Sequence, residues 1–254
     1  MARRPETTEL PCTCDVAVIG AGIVGASAAL FLARAGLDVL LLDAGDAGGG
    51  QSGRNWGWVR RFGRHTAEQP LANLSLHTWS ELQAEAELGY RRAGLLRLTA
   101  DAAEHARLVG MAETARHHGV RVDDLSPAEA IHRAPGIART PYGALLVPDD
   151  GCAEPALAAP AIARLAVAAG ARLSPYTPVR GLDVRDGSVR GIHAGAKHIE
   201  TRNGVLVASG AGSAHLLRHA GLDLPQAYVQ ASVARTAPVD TQPARHLLDR
   251  KSTR

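Results

Sequence analysis

Asp15 to Asp43 reads DVAVIGAGIVGASAALFLARAGLDVLLLD: a strand, a glycine turn, a helix and a second strand closed by an acid. Val16 to Ile19 form a short β-rich apolar run, and Gly20, Gly22 and Gly25 follow at the spacing G-x-G-x-x-G. Each glycine has its own steric task. The first permits a tight turn, the second lets main chain approach a pyrophosphate, and the third lets the helix sit close on the strand. Ile23 to Ala35 are good helix formers, and the helix start at Ile23 and Val24 turns free N–H groups and a positive dipole end toward bound phosphates. Gly36 suits the position just past the helix end. Val39 to Leu42 make a second buried parallel strand, and Asp43 stands where a carboxylate accepts from ribose hydroxyls. An acid there argues for an unphosphorylated ribose, as in FAD or NAD. The bland alternative is a βαβ turn with a purely structural role.

Working outward, the 254 residues carry 46% hydrophobic side chains, enough to bury a core in one large domain or two small ones. A formal charge of +3 is mild and the basic residues are scattered, which leaves no nucleic-acid footprint. Three cysteines, two of them in Cys12-Thr13-Cys14, make neither a disulfide framework nor a metal-ligand spacing and suit a reducing cytoplasm. Arg3-Arg4 is followed by polar and acidic residues rather than a signal segment, and no apolar run reaches membrane-spanning length.

Ala44 to Gly57, AGDAGGGQSGRNWG, has six glycines among fourteen positions and must be a loop. It leaves the carboxyl end of the second strand, the side where ligands of open α/β sheets bind. Ser52, Arg54 and Asn55 supply donors for a phosphate or ribityl chain, and Trp56 and Trp58 offer flat apolar surfaces that bracket an aromatic ring or tuck onto the core. The fingerprint, the acid, and the loop GGGQSGRNWGWVR together resemble the N-terminal part of the FAD-dependent amine and amino-acid oxidoreductases of the D-amino-acid oxidase superfamily.

The resemblance implies an α/β fold: a Rossmann-type FAD-binding domain with a parallel sheet, plus a partial antiparallel-sheet α+β substrate domain. It implies a discontinuous FAD-binding domain over 14–92 and 150–218, a partial substrate domain over 93–149 and 219–240, and flexible tails at 1–13 and 241–254. It gives Gly20, Gly22, Ile23, Val24 and Gly25 to the pyrophosphate, and Asp43 with Ala44 to the adenosine ribose, although the family more often has Glu in place of Asp43. Ser52, Gly53, Arg54 and Asn55 go to the middle and flavin end of the cofactor. Val179, in Thr177-Pro178-Val179-Arg180, takes the backbone contact to adenine, and Ala208, Ser209 and Gly210, ending the buried strand NGVLVASG, match the turn beneath the cofactor. The family commonly places Trp where this chain has Gly212, and its loss removes apolar packing.

Between these pieces, Glu68 to Leu88 reads as a helix with Leu71, Leu74, Trp79, Leu82 and Leu88 as an approximate apolar stripe. Gly94 to Thr99 and Tyr142 to Val147 read as strands, and Ala102 to His118 as an alanine-rich helix. Ser126-Pro127-Ala128-Glu129 opens another helix with Ser126 as N-cap, and Pro148-Asp149-Asp150-Gly151 is a reverse turn before the helix that runs to Ala169. Val229 to Arg235 reads as a strand, whereas DTQPARHLLDRKSTR lacks the alternation of one.

Other chemistry is thin. His215 and His219 lie four apart on a predicted helix but lack a third ligand and the acid of an H-E-x-x-H motif. His117-His118 reads as a wet helix end, no serine sits in a nucleophile elbow, and Cys152 has no evident partner. The resemblance therefore implies hydride transfer to flavin from the carbon beside an amine, on a small amino acid or amine substrate, with no catalytic residue named. Arg54, Arg60 and Arg61 match carboxylate geometry, with a surface role as the alternative for the latter two. A nicotinamide-dependent dehydrogenase has a similar first unit, but the loop at Gly48 to Gly57 and the strand at Val205 oppose it. The family's chains are longer, so the resemblance implies a truncated chain, an inactive nucleotide-binding remnant as a second reading, and a partner chain or oligomer covering an incomplete sheet.

Overall fold

In the computed structural model, residues 9–135, 139–230, 232 and 234 are described, with the backbone of Leu247–Asp249. The elements in chain order are β1 Thr13–Ile19, α1 Ile23–Arg34, β2 Val39–Leu42, β3 Trp58–Val59, α2 Gln69–Glu85, β4 Leu95–Thr99, α3 Ala102–His117, β5 Asp123–Leu125 and α4 Pro127–Arg133. They continue as β6 Gly143–Val147, β7 Gly151–Cys152, α5 Pro155–Ala168, β8 Arg172–Ser174, β9 Val179–Arg185, β10 Ser188–Ala194, β11 Lys197–Val207, α6 Ser213–Arg218 and β12 Leu247–Asp249. Two compact units emerge: Met1–Trp56 with Ala86–Leu88 and Pro155–Val233, and Gly57–Glu85 with Gly89–Glu154 and Ala234–Arg254.

The first unit holds a six-stranded sheet in the order β8-β2-β1-β11-β10-β9. β8, β2, β1 and β11 run parallel, and β10 and β9 fold back antiparallel. All four residues of β2 are buried, as a parallel strand covered on both faces requires. α1 buries Gly25, Ala26, Ala29, Leu30 and Ala33, a stripe at helical spacing whose small side chains let α1 and α5 pack closely. Cys14, Ala17, Ile19, Leu40, Leu42 and Ile192 anchor the core beside the sheet, each large side chain contributing about 1.5–3 kcal/mol by leaving water. The expected α/β architecture with a mostly parallel sheet is the one observed.

The second unit holds a four-stranded sheet in the order β12-β4-β6-β5, with β4, β6 and β5 antiparallel along the chain of pairings. Here alternate residues go to different cores. Leu95, Leu145 and Val147 pack with Leu108 of α3 and with Phe62, while Leu96, Leu98, Ala144 and Leu146 pack with Ala130 of α4. α4 opens with the expected capping box, Ser126 Oγ accepting from Glu129 N at 3.3 Å and Glu129 Oε2 accepting from Ser126 N at 2.8 Å.

Three sequence expectations need correction. α2 turns Gln69, Leu76 and Leu82 inward and leaves Leu71 and Leu74 71% and 62% exposed. Two small or polar residues, Ala72 and Asn73, share the inward side with Leu76, so the expected stripe holds at Leu82 and Leu88 and is out of phase at Leu71 and Leu74. Val229, Gln230, Ser232 and Ala234 lie in no strand, and the remainder of the Val229 to Arg235 segment is outside the described residues. Leu247–Asp249, within the stretch expected to form none, pairs parallel with β4. A three-residue edge strand is too short to show alternation. Residues 1–8, 241–246 and 250–254 of the expected tails lie outside the described residues.

Candidate dinucleotide site

The glycine turn between β1 and α1 is built against the strand ends beside it. Gly20 has φ +105°, a backbone state that disfavours any side chain, and its N–H donates to Leu42 O at 2.7 Å. A Cβ on Gly20 would stand 2.4 Å from Ala208 O, and one on Gly25 would stand 1.8 Å from Gly20 O. Both glycines are therefore demanded by the packing of the turn itself. Gly22 differs. Its φ of −70° suits any residue, and a Cβ there would meet only the Ser52 side chain, 2.9 Å away at Oγ. Gly22 keeps the turn open rather than making the turn possible.

Asp43 closes one side. Its Oδ2 accepts from Ala21 N at 2.7 Å and its Oδ1 from Gly45 N at 2.8 Å, which fixes the carboxylate next to the glycine turn with lone pairs left for a further donor. Thr177 N donates to Asp43 O at 2.7 Å, bringing the segment that leads into Val179 alongside; Val179 itself is partly buried at the start of β9. Ala208 N donates to Ile19 O at 2.8 Å, so Ala208 and Ser209 underlie Gly20, and Gly210, with φ +56°, turns the chain into α6. Where Gly212 stands in place of a ring, the Gln226 amide ties the turn, donating to Gly210 O at 3.0 Å and accepting from Ala214 N at 3.2 Å.

Ser52 lies at the helix end of the site: its Oγ accepts from Ile23 N at 2.9 Å. α1 carries no acid in its own first turn, and the Asp43 carboxylate beside it is held by the Ala21 and Gly45 amides. Val24 is exposed and Ile23 half-buried at this end, and Ala44 is exposed beside Asp43. The structure thus brings together Gly20, Gly22, Ile23, Gly25, Asp43, Ser52, Ala208 and Ser209. Gly53 is held close in the loop, where a Cβ would meet Gly48 O at 2.6 Å. Arg54 and Asn55 turn back on their own loop. Arg54 donates to Gly50 O and Gly49 O at 3.2 and 3.1 Å, Asn55 Nδ2 to Ser52 O at 2.8 Å, and Trp56 is 65% exposed.

Within the second unit Arg61 is neither a surface residue nor an anion receptor. Asp150 is fully buried and accepts from Arg61 N at 3.0 Å and Phe62 N at 3.2 Å, and the Arg61 side chain reaches Asp150, Asp149 and Asn73 at 3.3–3.5 Å. Burial pushes the Asp150 carboxyl above its ordinary range, against the pull of those donors. Arg60 stacks over Trp58 at 5.5 Å and donates to Phe62 O at 3.1 Å. Sequence reasoning missed the Arg61–Asp150 pair because 89 positions separate its members.

The three cysteines are unbridged, and burial raises the Cys14 thiol to about 11. Among the described residues no helix is long and apolar enough to cross a membrane. His215 and His219 meet edge to face at 4.6 Å, with His219 Nδ1 2.9 Å from His215 O.

The family model described as DAO, FAD dependent oxidoreductase, matches residues 15–253. The chain is 32% identical over 222 residues to monomeric sarcosine oxidase of Bacillus sp. (strain B-0618), covering 83% of this chain and 55% of that protein. It is 31% identical to glycine oxidase of Geobacillus kaustophilus (strain HTA426), covering 83% of this chain and 58% of that protein. Among solved structures, L-amino acid deaminase from Proteus myxofaciens superposes with a TM-score of 0.81 at 28% identity, covering 87% of this chain and 51% of that one. The chain thus spans little more than half the length of the relatives it matches.

Proposed function

Because the chain belongs to the DAO family of FAD-dependent oxidoreductases, we propose that it is the FAD-holding part of an enzyme that oxidises the CH–NH bond of an amino acid or secondary amine. The observation that carries this reading is Gly22, whose missing side chain leaves main chain bare beside the α1 amides, with the Ser52 hydroxyl on one side and Asp43 tied to Ala21 N on the other. The residues present fit the cofactor. Gly22 and the start of α1 would take its pyrophosphate, with the Ser52 hydroxyl, already bound to Ile23 N, turned to donate to a phosphate oxygen. Asp43 would accept from the ribose on the lone pairs its two amides leave, and the backbone at Val179 would meet the adenine. Gly53, Arg54 and Asn55 would line the path toward the flavin, and Ala208 to Gly210 the floor.

When bound, the flavin supplies the hydride acceptor. The chain's part is to orient: it fixes the acid by two amides, sets the helix dipole against negative charge and keeps main chain close enough for contact. The sarcosine and glycine oxidases it resembles point to a small amino acid or amine as the substrate class. Three free thiols suit a cytoplasmic location. Phe31 and Leu206, exposed on the groove between α1 and β11, support cover by a partner chain or second copy. The test is the visible spectrum of the purified chain followed by dye reduction with D- and N-methyl amino acids. Flavin bands near one per chain and bleaching by a substrate are expected; a colourless folded protein that takes up no added FAD refutes the proposal and favours a remnant without turnover.

A further inference from the structure

β9, β10 and β11 form the antiparallel side of the first unit's sheet, and their register sets Gly181 opposite His193, Asp183 opposite Gly191, and His193 opposite His198. Directly opposed residues share a sheet face. Leu182, Ile192 and Ile199 face the core, so Asp183, His193 and His198 project together from the other face. Gly181 leaves open space on that face, whereas Gly191 packs main chain closely, a Cβ there standing 2.2 Å from Ile199 O. The same Cβ would stand 3.1 Å from His198 Nε2, and His198 Nε2 approaches Asp183 Oδ2 to 2.8 Å. The His193 and His198 rings lie 5.1 Å apart, and one ligand atom from each of the three residues lies within 4.8 Å of the other two.

We propose that this face binds a divalent transition metal, with zinc as the ion its ligands suit. Two imidazoles and one carboxylate are the borderline donors zinc accepts, and three protein ligands leave a fourth position for water. None of the three residues belongs to the proposed cofactor site. Zinc bonds of about 2.0–2.1 Å in a tetrahedron put ligand atoms about 3.3–3.4 Å apart. The Asp183–His198 contact therefore opens slightly and the exposed His193 ring swings inward. Arg185 donates to Asp183 Oδ1 at 3.0 Å and lies 2.9 Å from Oδ2. Its bond to Oδ1 survives metal binding and orients the carboxylate, as hydrogen-bonded partners of metal ligands do. Its positive charge also weakens the site, so micromolar rather than tighter affinity is expected. The bound ion would cross-link β9 and β10 to β11.

The experiment is calorimetric titration of zinc chloride into the untagged, chelator-treated chain, with thermal melts in parallel. One zinc per chain at micromolar Kd and a raised Tm are expected. His193→Asn and His198→Gln should each weaken binding at least tenfold, and the double variant H215N/H219N should leave it unchanged. Melts without zinc establish that each variant folds, and cobalt substitution in the unmutated chain should give the visible d–d band of a tetrahedral site without the near-ultraviolet thiolate charge-transfer band that cysteine ligation would add. No saturable binding, no cobalt band, or affinity that follows His215 and His219 instead overturns the proposal.

Discussion

Gly22→Ala separates the two tasks that glycines perform in the turn. Its backbone, at φ −70°, accepts alanine without strain, and the new methyl meets Ser52 Oγ at 2.9 Å with the Ser52 Cβ farther off at 3.9 Å. The hydroxyl can rotate away, losing its bond from Ile23 N, a helix-end contact of about 1 kcal/mol. Stability should therefore fall by only about 1 kcal/mol in urea denaturation. In a Ser52→Gly background the methyl meets nothing, and the same substitution should cost close to zero, a coupling of about 1 kcal/mol between the two sites. Flavin binding should respond differently. The methyl fills the opening that a pyrophosphate enters, and FAD affinity should drop at least a hundredfold, about 2.7 kcal/mol, in both backgrounds. Fluorescence titration of the apoprotein with FAD measures it. Near-native FAD affinity in Gly22→Ala would refute the assignment of the opening to the cofactor, and a stability loss of several kcal/mol would refute the distinction between Gly22 and its neighbours.

Asp150→Ala removes the acceptor of two backbone amides and leaves the buried Arg61 guanidinium undercompensated, so denaturation should show a loss of about 3–5 kcal/mol; a loss under 1 kcal/mol would contradict the pairing described. Ser126→Ala should destabilise the second unit by about 1 kcal/mol through the lost cap. Hydrogen bonds from the Ser126 side chain and then its backbone hold the Glu129 carboxyl below its ordinary range. A lowered carboxyl stabilises the fold above its unfolded pKa and loses that contribution as pH falls through the folded value. The deficit of Ser126→Ala should accordingly shrink in melts taken below about pH 4; a constant deficit down to pH 2 would speak against the reciprocal cap.

Some of this molecule follows from local sequence. The turn at Gly20 needs a positive φ, the Gly25 position tolerates no Cβ, and the apolar run of β2 needs two covered faces; each is a short-range steric or solvation demand that a run of neighbouring residues states directly. The same holds for the Ser126 cap, where N-cap and N3 lie on one turn. The family likeness, too, was readable from the fingerprint, the acid and the loop that follows. The use of each polar side chain was less legible. Arg54 and Asn55 look like ligands in the sequence, yet their donors go to carbonyls of their own loop, while Ser52 is drawn to the end of α1.

The linear chain therefore determined the βαβ unit and its glycine turn, because those depend on backbone freedom and on apolar runs a few residues long. Tertiary structure alone decided which charges are neutralised within the protein and which remain for a ligand. Arg61 and Asp150, or Asp183 and the histidines of the neighbouring strands, are joined by strand register and chain reversal. Electrostatic and coordination energies depend on distances through space, and sequence separation does not report them.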